Sequence, residues 1–176
     1  MNMNDELPKR KPTRWKSFDY NSQGMYFITI CTENRRNILS RIVGADVPDG
    51  PSVELSQYGK IAEKYIRQLN DFYDNINVDR YVIMPNHIHI ILFVYENGAS
   101  RTSPPTRQHS VVSRFVSTLK RFCNKEYGEN IWQRHFNDHV IRNREDYVEH
   151  LRYVCENPMR WYYDELYTEE QCVNDK

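Results

Sequence analysis

The alternation of apolar and polar positions divides this chain into short strands and long amphipathic helices. Residues 25–32 (MYFITICT) are apolar on both faces and rich in β-formers, which predicts a central strand covered on both sides. The next stretch, 34–55, is polar and broken by Gly44, Pro48, Gly50 and Pro51, and predicts a short hairpin or an irregular loop. Ser56 is a good helix N-cap, and Tyr58, Ile61, Ala62, Tyr65, Ile66, Leu69, Phe72 and Tyr73 follow it at helical spacing as a core stripe. Residues 78–84 form a second strand. Pro85 and Asn86 then turn the chain into an antiparallel neighbour, 87–94.

A polar loop over 96–109, with Gly98, Pro104 and Pro105, precedes a second long helix. Ser110 caps that helix, and Val111, Val112, Phe115, Val116, Leu119, Phe122 and Cys123 are its apolar stripe. Residues 131–141 read as a fourth strand. Asn143 caps a third helix whose first turn carries Glu145 and Asp146, where the helix dipole favours acids. Its apolar stripe is Tyr147, Val148, Leu151, Val154 and Cys155, spanning about 120°. Pro158 disfavours helical geometry at Asn157 and predicts the helix end there. The order strand, helix, strand, strand, helix, strand is the ferredoxin-like α+β pattern: an antiparallel sheet with two helices on one face. The third helix is then free to lie near the open face.

The strand at 87–94 carries the first candidate chemistry. Side chains alternate along a strand, so Ile88, Ile90, Leu92 and Val94 share an aliphatic face that belongs under the helices. His87 and His89 share the other face, where two imidazoles pointing the same way suit one metal ion. On the third helix, Tyr153 lies about 160° from the centre of the apolar stripe, and Asn157 is one turn further at nearly the same azimuth. An Asn carbonyl oxygen could complete a site with the two imidazoles.

Composition narrows the setting. A chain of 176 residues with 39% hydrophobic and 13% aromatic content can bury a core in one ordinary domain. We therefore expect a basic flexible arm over 1–22 and a single folded domain over 23–176. The net charge is 0, so bulk charge does not announce a nucleic-acid binder. Locally, Lys9, Arg10, Lys11, Arg14 and Lys16 make the arm basic, and Lys120, Arg121 and Arg134 are further candidate contacts for phosphates. The four cysteines are far apart without a Cys-x-x-Cys pair, which argues against a zinc ribbon or a redox motif. No signal peptide or bilayer-length apolar run is present in the sequence, so a reduced cytoplasmic setting without a membrane partner is the expectation.

The residues Pro85-Asn86-His87-Ile88-His89 resemble the His-hydrophobic-His motif of the single-tyrosine HUH transposases. Tyr153-Val154-Cys155-Glu156-Asn157-Pro158 resembles the nucleophile helix of their domesticated branch, the REP-associated tyrosine transposases. The segments Gly24-Met25-Tyr26-Phe27-Ile28-Thr29, Tyr58-Gly59-Lys60-Ile61 and Trp132-Gln133-Arg134 are similar to that branch too, so the likeness runs from about Arg14 to Trp161. The resemblance implies a metal-dependent, TnpA-like enzyme of the bacterial cytoplasm and nucleoid. It would cut and rejoin single-stranded DNA at hairpin-flanked sites through a 5′-phosphotyrosine. Tyr153 would be the nucleophile. His87 and His89, with Asn157, would hold Mg²⁺ or Mn²⁺. Insertion-sequence relatives carry Gln where this chain has Asn157. Single-stranded or hairpin DNA is the implied partner, and monomer and homodimer both remain open.

The phenol proton needs an acceptor, and His135, His139 and His150 are the candidates. The alternative is a catalytically inactive hairpin DNA- or RNA-binding module on the same fold. A two-histidine phosphoesterase would need two separate His-x-Ser/Thr motifs, which the chain lacks, and a structural zinc protein would need a different cysteine spacing.

Overall fold

The computed structural model describes residues 23–44, 50–95 and 110–168. Six strands alternate with three helices: β1 (Gly24–Cys31), β2 (Ser40–Val43), β3 (Ser52–Leu55), α1 (Gln57–Phe72), β4 (Ile76–Ile83), β5 (His87–Val94), α2 (Val111–Tyr127), β6 (Asn137–Ile141) and α3 (Arg144–Arg160). β2 and β3 form a separate two-stranded hairpin within the stretch where the sequence allowed a hairpin or a loop. The other four strands make one sheet in the order β4-β5-β1-β6, and every neighbour is antiparallel. The architecture is α+β, an antiparallel sheet with three helices.

The aliphatic composition of β1 and β5 explains their central places. Ile28, Ile30, Ile88, Ile90 and Leu92 have no exposed surface. Burying each such side chain stabilises the fold by about 1.5–3 kcal/mol. The even-numbered face of both strands packs in one cluster with Ile61, Ala62, Ile66 and Leu69 of α1 and Val112, Phe115, Val116 and Leu119 of α2. Both helices begin as their N-caps predict, with Ser56 Oγ accepting from Gly59 N–H and Ser110 Oγ from Ser113 N–H. α2 ends at Gly128, whose φ of 79° is the left-handed conformation glycine adopts without strain.

The opposite face carries a smaller cluster in which Ile91, Ile141 and Val154 meet Met25, Phe27, Val82, Tyr147 and Leu151. α3 therefore lies across the odd-numbered face. That face is not open to solvent at its centre: His87 and His89 are 0% and 2% exposed.

Four local expectations need correction. The fourth strand is shorter than 131–141; Ile131 and Trp132 are buried core residues, and Trp132 makes one isolated bridge to Thr32. Phe72 does not join the α1 stripe and is 73% exposed at the helix end. α3 does not stop at Asn157 but continues through Pro158 to Arg160. Pro158 lacks an N–H for the ladder and its ring crowds the Val154 carbonyl, yet the helix carries on for two more residues, and the buried Trp161 anchors the turn that follows. Finally, Val148 and Cys155 are exposed, whereas Asn157 is buried. The sheet-facing side of α3 is rotated away from the purely apolar stripe, because the groups that meet it there include polar ones.

One close approach fixes the entry to β5. A Cβ on Gly59 would lie 2.1 Å from the Leu39 carbonyl oxygen, so α1 can touch the 36–39 segment only with glycine there. Leu39 N–H in turn donates to the Pro85 carbonyl at 2.9 Å, and Ser40 Oγ donates to the Ile83 carbonyl at 2.8 Å. The turn that launches His87 is thus pinned from both sides.

Candidate functional site

The two imidazoles sit where the strand pattern aims them. Opposite His87 in the register is Cys31, and opposite His89 is Thr29 on one side and Val82 on the other. Their ring centroids are 4.4 Å apart. His87 Nδ1 lies 2.8 Å from Asn86 Oδ1. An amide oxygen only accepts, so Nδ1 carries the proton and the lone pair falls on Nε2. His89 Nδ1 lies 2.9 Å from Thr29 Oγ1, a hydroxyl that serves as donor or acceptor; in the tautomer that donates to it, the lone pair again falls on Nε2.

Neither Nε2 has a hydrogen-bond partner, and neither does the buried Asn157 Oδ1. Three buried polar atoms left without partners are costly unless something fills the space between them. Burial, with the Arg35 charge as a lesser cause, lowers the pKa of His87 to about 3. Burial and the neighbouring His87 lower that of His89 well below the ordinary value. Both rings are therefore neutral at physiological pH, the state in which imidazole binds a metal.

A carboxylate completes the cluster. His87, His89 and Asp164 each offer a ligand atom, all within 4.8 Å of one another. Asp164 follows the short turn Trp161–Tyr163, and its Oδ1 accepts from Leu166 N–H at 2.7 Å. Its Oδ2 accepts from Tyr153 Oη–H at 2.9 Å and from Asn157 Nδ2 at 2.9 Å. Tyr153 is 38% exposed, with its ring 5.1 Å from that of His89 and 6.0 Å from that of Phe27. Burial and the Asp164 charge raise its pKa above that of an ordinary tyrosine.

The structure thus brings together Tyr153, His87, His89 and Asn157, although α3 had to extend past Pro158 to place Asp164 beside them. Sequence reasoning does not single out Asp164. Its signal was weak, since an Asp six residues after a Pro has no periodic relation to the strand histidines. The residues expected to contact DNA are not part of this cluster. Lys9, Arg10, Lys11, Arg14 and Lys16 lie outside the described residues. Lys120 Nζ donates to the carbonyls of Gln133 and His135 at 2.7 and 3.1 Å, and burial lowers its pKa to about 8. It acts as a clamp between α2 and the 133–135 segment. Arg121 and Arg134 are exposed and line one open cleft with Lys120, Trp132 and Gln133.

None of the three candidate proton acceptors bonds Tyr153. His135 is exposed, while His139 and His150 both face Asp146. Tyr147 Oη donates to Asp79 Oδ2 at 2.9 Å, and Tyr162 and Tyr163 are 59% and 91% exposed, so Tyr153 alone among these tyrosines joins the histidine cluster.

No family profile matches the chain. The REP-associated tyrosine transposase of Escherichia coli K12 is 28% identical over 141 residues, which cover 80% of this chain and 70% of that protein. The chain is a homologue of the REP-associated tyrosine transposases. An uncharacterised protein of Haemophilus influenzae Rd is 26% identical over 181 residues, covering 94% of this chain and 97% of that one. The fold agrees. The solved structure of a REP-associated tyrosine transposase bound to a REP hairpin superposes with a TM-score of 0.59 at 21% identity, over 93% of this chain and 95% of that one.

No helix among the described residues is long and apolar enough to cross a membrane.

Proposed function

We propose that the chain is a transposase-like enzyme that cleaves and rejoins single-stranded DNA, with Tyr153 as nucleophile. The sheet order β4-β5-β1-β6 with α1 and α2 on one face supports reading the domain as ferredoxin-like, with α3 carrying the nucleophile across the other face. One observation carries the functional reading. The unpartnered atoms His87 Nε2, His89 Nε2 and Asn157 Oδ1 sit beside the carboxylate that holds the Tyr153 hydroxyl.

This donor set fits a divalent ion. Two neutral imidazoles with oxygen donors suit Mn²⁺ better than Mg²⁺, which prefers oxygen throughout. His87, His89 and Asp164 would hold the ion, with Asn157 Oδ1 as a further donor. When bound, it would polarise a phosphoryl oxygen and orient the scissile phosphate. The protein supplies the remainder. Tyr153 Oη forms the new bond to phosphorus, and the bond from phosphorus to the 3′ oxygen breaks; that oxygen takes up a proton from water, leaving a 5′-phosphotyrosine and a strand that ends in a 3′-hydroxyl. Asp164 Oδ2, which already receives the Tyr153 hydrogen bond, is placed to take the phenol proton. The phosphodiester bond energy is kept in the phosphotyrosine, so the strand can be resealed without a nucleotide cofactor.

Hairpin DNA is the proposed partner, since a relative of this fold is described bound to a REP hairpin. The arm at 1–22 and the exposed Arg121 and Arg134 are proposed to contact phosphates, an attraction that weakens as salt rises.

The test is a covalent-adduct assay with hairpin-bearing single strands and Mn²⁺ on a denaturing gel. Wild type gives a protein–DNA adduct that maps to Tyr153, and Tyr153→Phe binds the same strands without forming one. Cleavage by Tyr153→Phe, or an adduct on another residue, refutes the assignment. Tight hairpin binding with no adduct from wild type points to the inactive binding module instead.

A further inference from the structure

A second cluster lies on the far side of Phe27 and plays no part in the site described above. His139 stands on β6, while Asp146 and His150 lie on the first two turns of α3. Their ligand atoms fall within 4.8 Å of one another. His139 Nε2 is 3.0 and 3.1 Å from the two Asp146 carboxylate oxygens, and His150 Nδ1 is 3.0 Å from Asp146 Oδ1. The imidazoles are stacked, with centroids 4.6 Å apart and planes 17° from parallel, so both rings bring a nitrogen to the same carboxylate.

We propose that His139, Asp146 and His150 form a second metal site, for a first-row transition ion of the Zn²⁺ class, which ties β6 to the start of α3. Two imidazole nitrogens and one carboxylate oxygen are the donor set of three-ligand zinc sites that keep a fourth position for water. Ligands about 2.0–2.1 Å from a tetrahedral ion stand a little over 3 Å apart, and the nitrogen–oxygen separations here are close to that value. The carboxylate is already oriented by a backbone bond, Arg142 N–H to Asp146 Oδ2 at 3.0 Å. His139 is 44% exposed on its side chain, which leaves the ion an entry path. Loading has a local cost at both rings: His139 Nε2 faces the acceptor-only carboxylate of Asp146, His150 Nδ1 also sits 2.8 Å from the Asp146 carbonyl, and the protons on these nitrogens must be released.

The position gives the site a consequence. His150 precedes Tyr153 by one helical turn, and Phe27 touches both histidine groups, its ring 4.7 Å from His150 and 4.9 Å from His89. An ion at His139, Asp146 and His150 would brace the nucleophile-bearing helix against the edge strand without entering the other site.

Metal-stripped full-length protein would be titrated with Co²⁺, followed by visible absorption and equilibrium dialysis. Wild type binds two equivalents, the His87→Ala/His89→Ala double variant binds one, and His139→Gln binds one. His139→Gln changes an exposed side chain, and circular dichroism checks that its fold is kept. Adding His139→Gln to the double variant abolishes binding. The proposal is overturned if the His87→Ala/His89→Ala protein binds no Co²⁺, or if His139→Gln leaves the stoichiometry unchanged. A wild type that binds one equivalent, lost in His139→Gln and kept in the double variant, supports this site while removing the ion from the other.

Discussion

Asn86 is the residue through which the candidate site can be perturbed without touching a proposed ligand. It is fully buried. Its Oδ1 accepts from His87 Nδ1–H at 2.8 Å, and its Nδ2 donates to the Leu166 carbonyl at 2.8 Å and to Thr168 Oγ1 at 3.3 Å. One amide thus fixes the tautomer of His87 and ties down the segment that carries Asp164. Asn86→Ala removes all three bonds. At about 1 kcal/mol net for each, the loss is about 3 kcal/mol, since the His87 N–H and the Leu166 carbonyl are left poorly partnered. For a chain of this size that lowers Tm by about 6–12 °C.

Metal binding should suffer separately. Loss of a group that orients a ligating histidine typically costs 10–100-fold in affinity, or about 1.4–2.8 kcal/mol. Calorimetric titration of Mn²⁺ well below Tm reads that term with the protein folded. Asn86→Asp separates the two effects. It keeps an acceptor for Nδ1–H but sets a carboxylate against the Leu166 carbonyl, so affinity is retained while Tm still falls. If Asn86→Ala binds Mn²⁺ within twofold of wild type, the tautomer argument fails and His87 is oriented by packing alone.

Three further outcomes are expected. Asp164→Asn keeps an acceptor for Tyr153 but removes its charge, so the phenol ionises at lower pH; ultraviolet difference titration against Asp164→Asn/Tyr153→Phe reads this, and an unchanged titration would show that the carboxylate does not raise the phenol pKa. Metal-free protein should lose stability as pH falls below 6.5. With a folded pKa of about 3 the buried His87 stays neutral while the unfolded chain takes up a proton, costing about 2 kcal/mol by pH 5 from His87 alone, with His89 acting in the same direction; denaturant melts at pH 7 and 5 check this, and the slope should flatten in His87→Ala/His89→Ala. Gly59→Ala places a Cβ against the Leu39 carbonyl oxygen and should cost at least about 1–3 kcal/mol; a wild-type Tm would mean that the 36–39 segment yields freely.

The strand half of the site was legible because period two is unambiguous. Once 87–94 is a strand, the histidines must share a face and the aliphatic residues the other, and the structure keeps that division. The helix half was harder, for a reason visible in α3. Its apolar residues Tyr147, Val148, Leu151, Val154 and Cys155 centre on one azimuth, yet Val148 and Cys155 face solvent. The side that meets the sheet runs through Tyr147, His150, Val154 and Asn157 to Trp161, about 80° away from that centre. On that axis Tyr153 is not opposite the buried face but about 80° from its middle, at the rim, where its ring reaches His89 and its hydroxyl reaches Asp164. Hydrophobicity alone misplaces a helix whose buried face carries a histidine and an amide, because those polar residues point inward for partners that lie elsewhere in the sequence. A polar residue at the centre of a buried helical face is therefore itself a signal. Asn157, 1% exposed with an unpartnered carbonyl oxygen, is hard to account for as packing, since an apolar residue of similar size would fill the space without leaving a buried acceptor unsatisfied. What would satisfy that oxygen is a donor or a cation between α3 and β5, and the two free histidine nitrogens lie on β5.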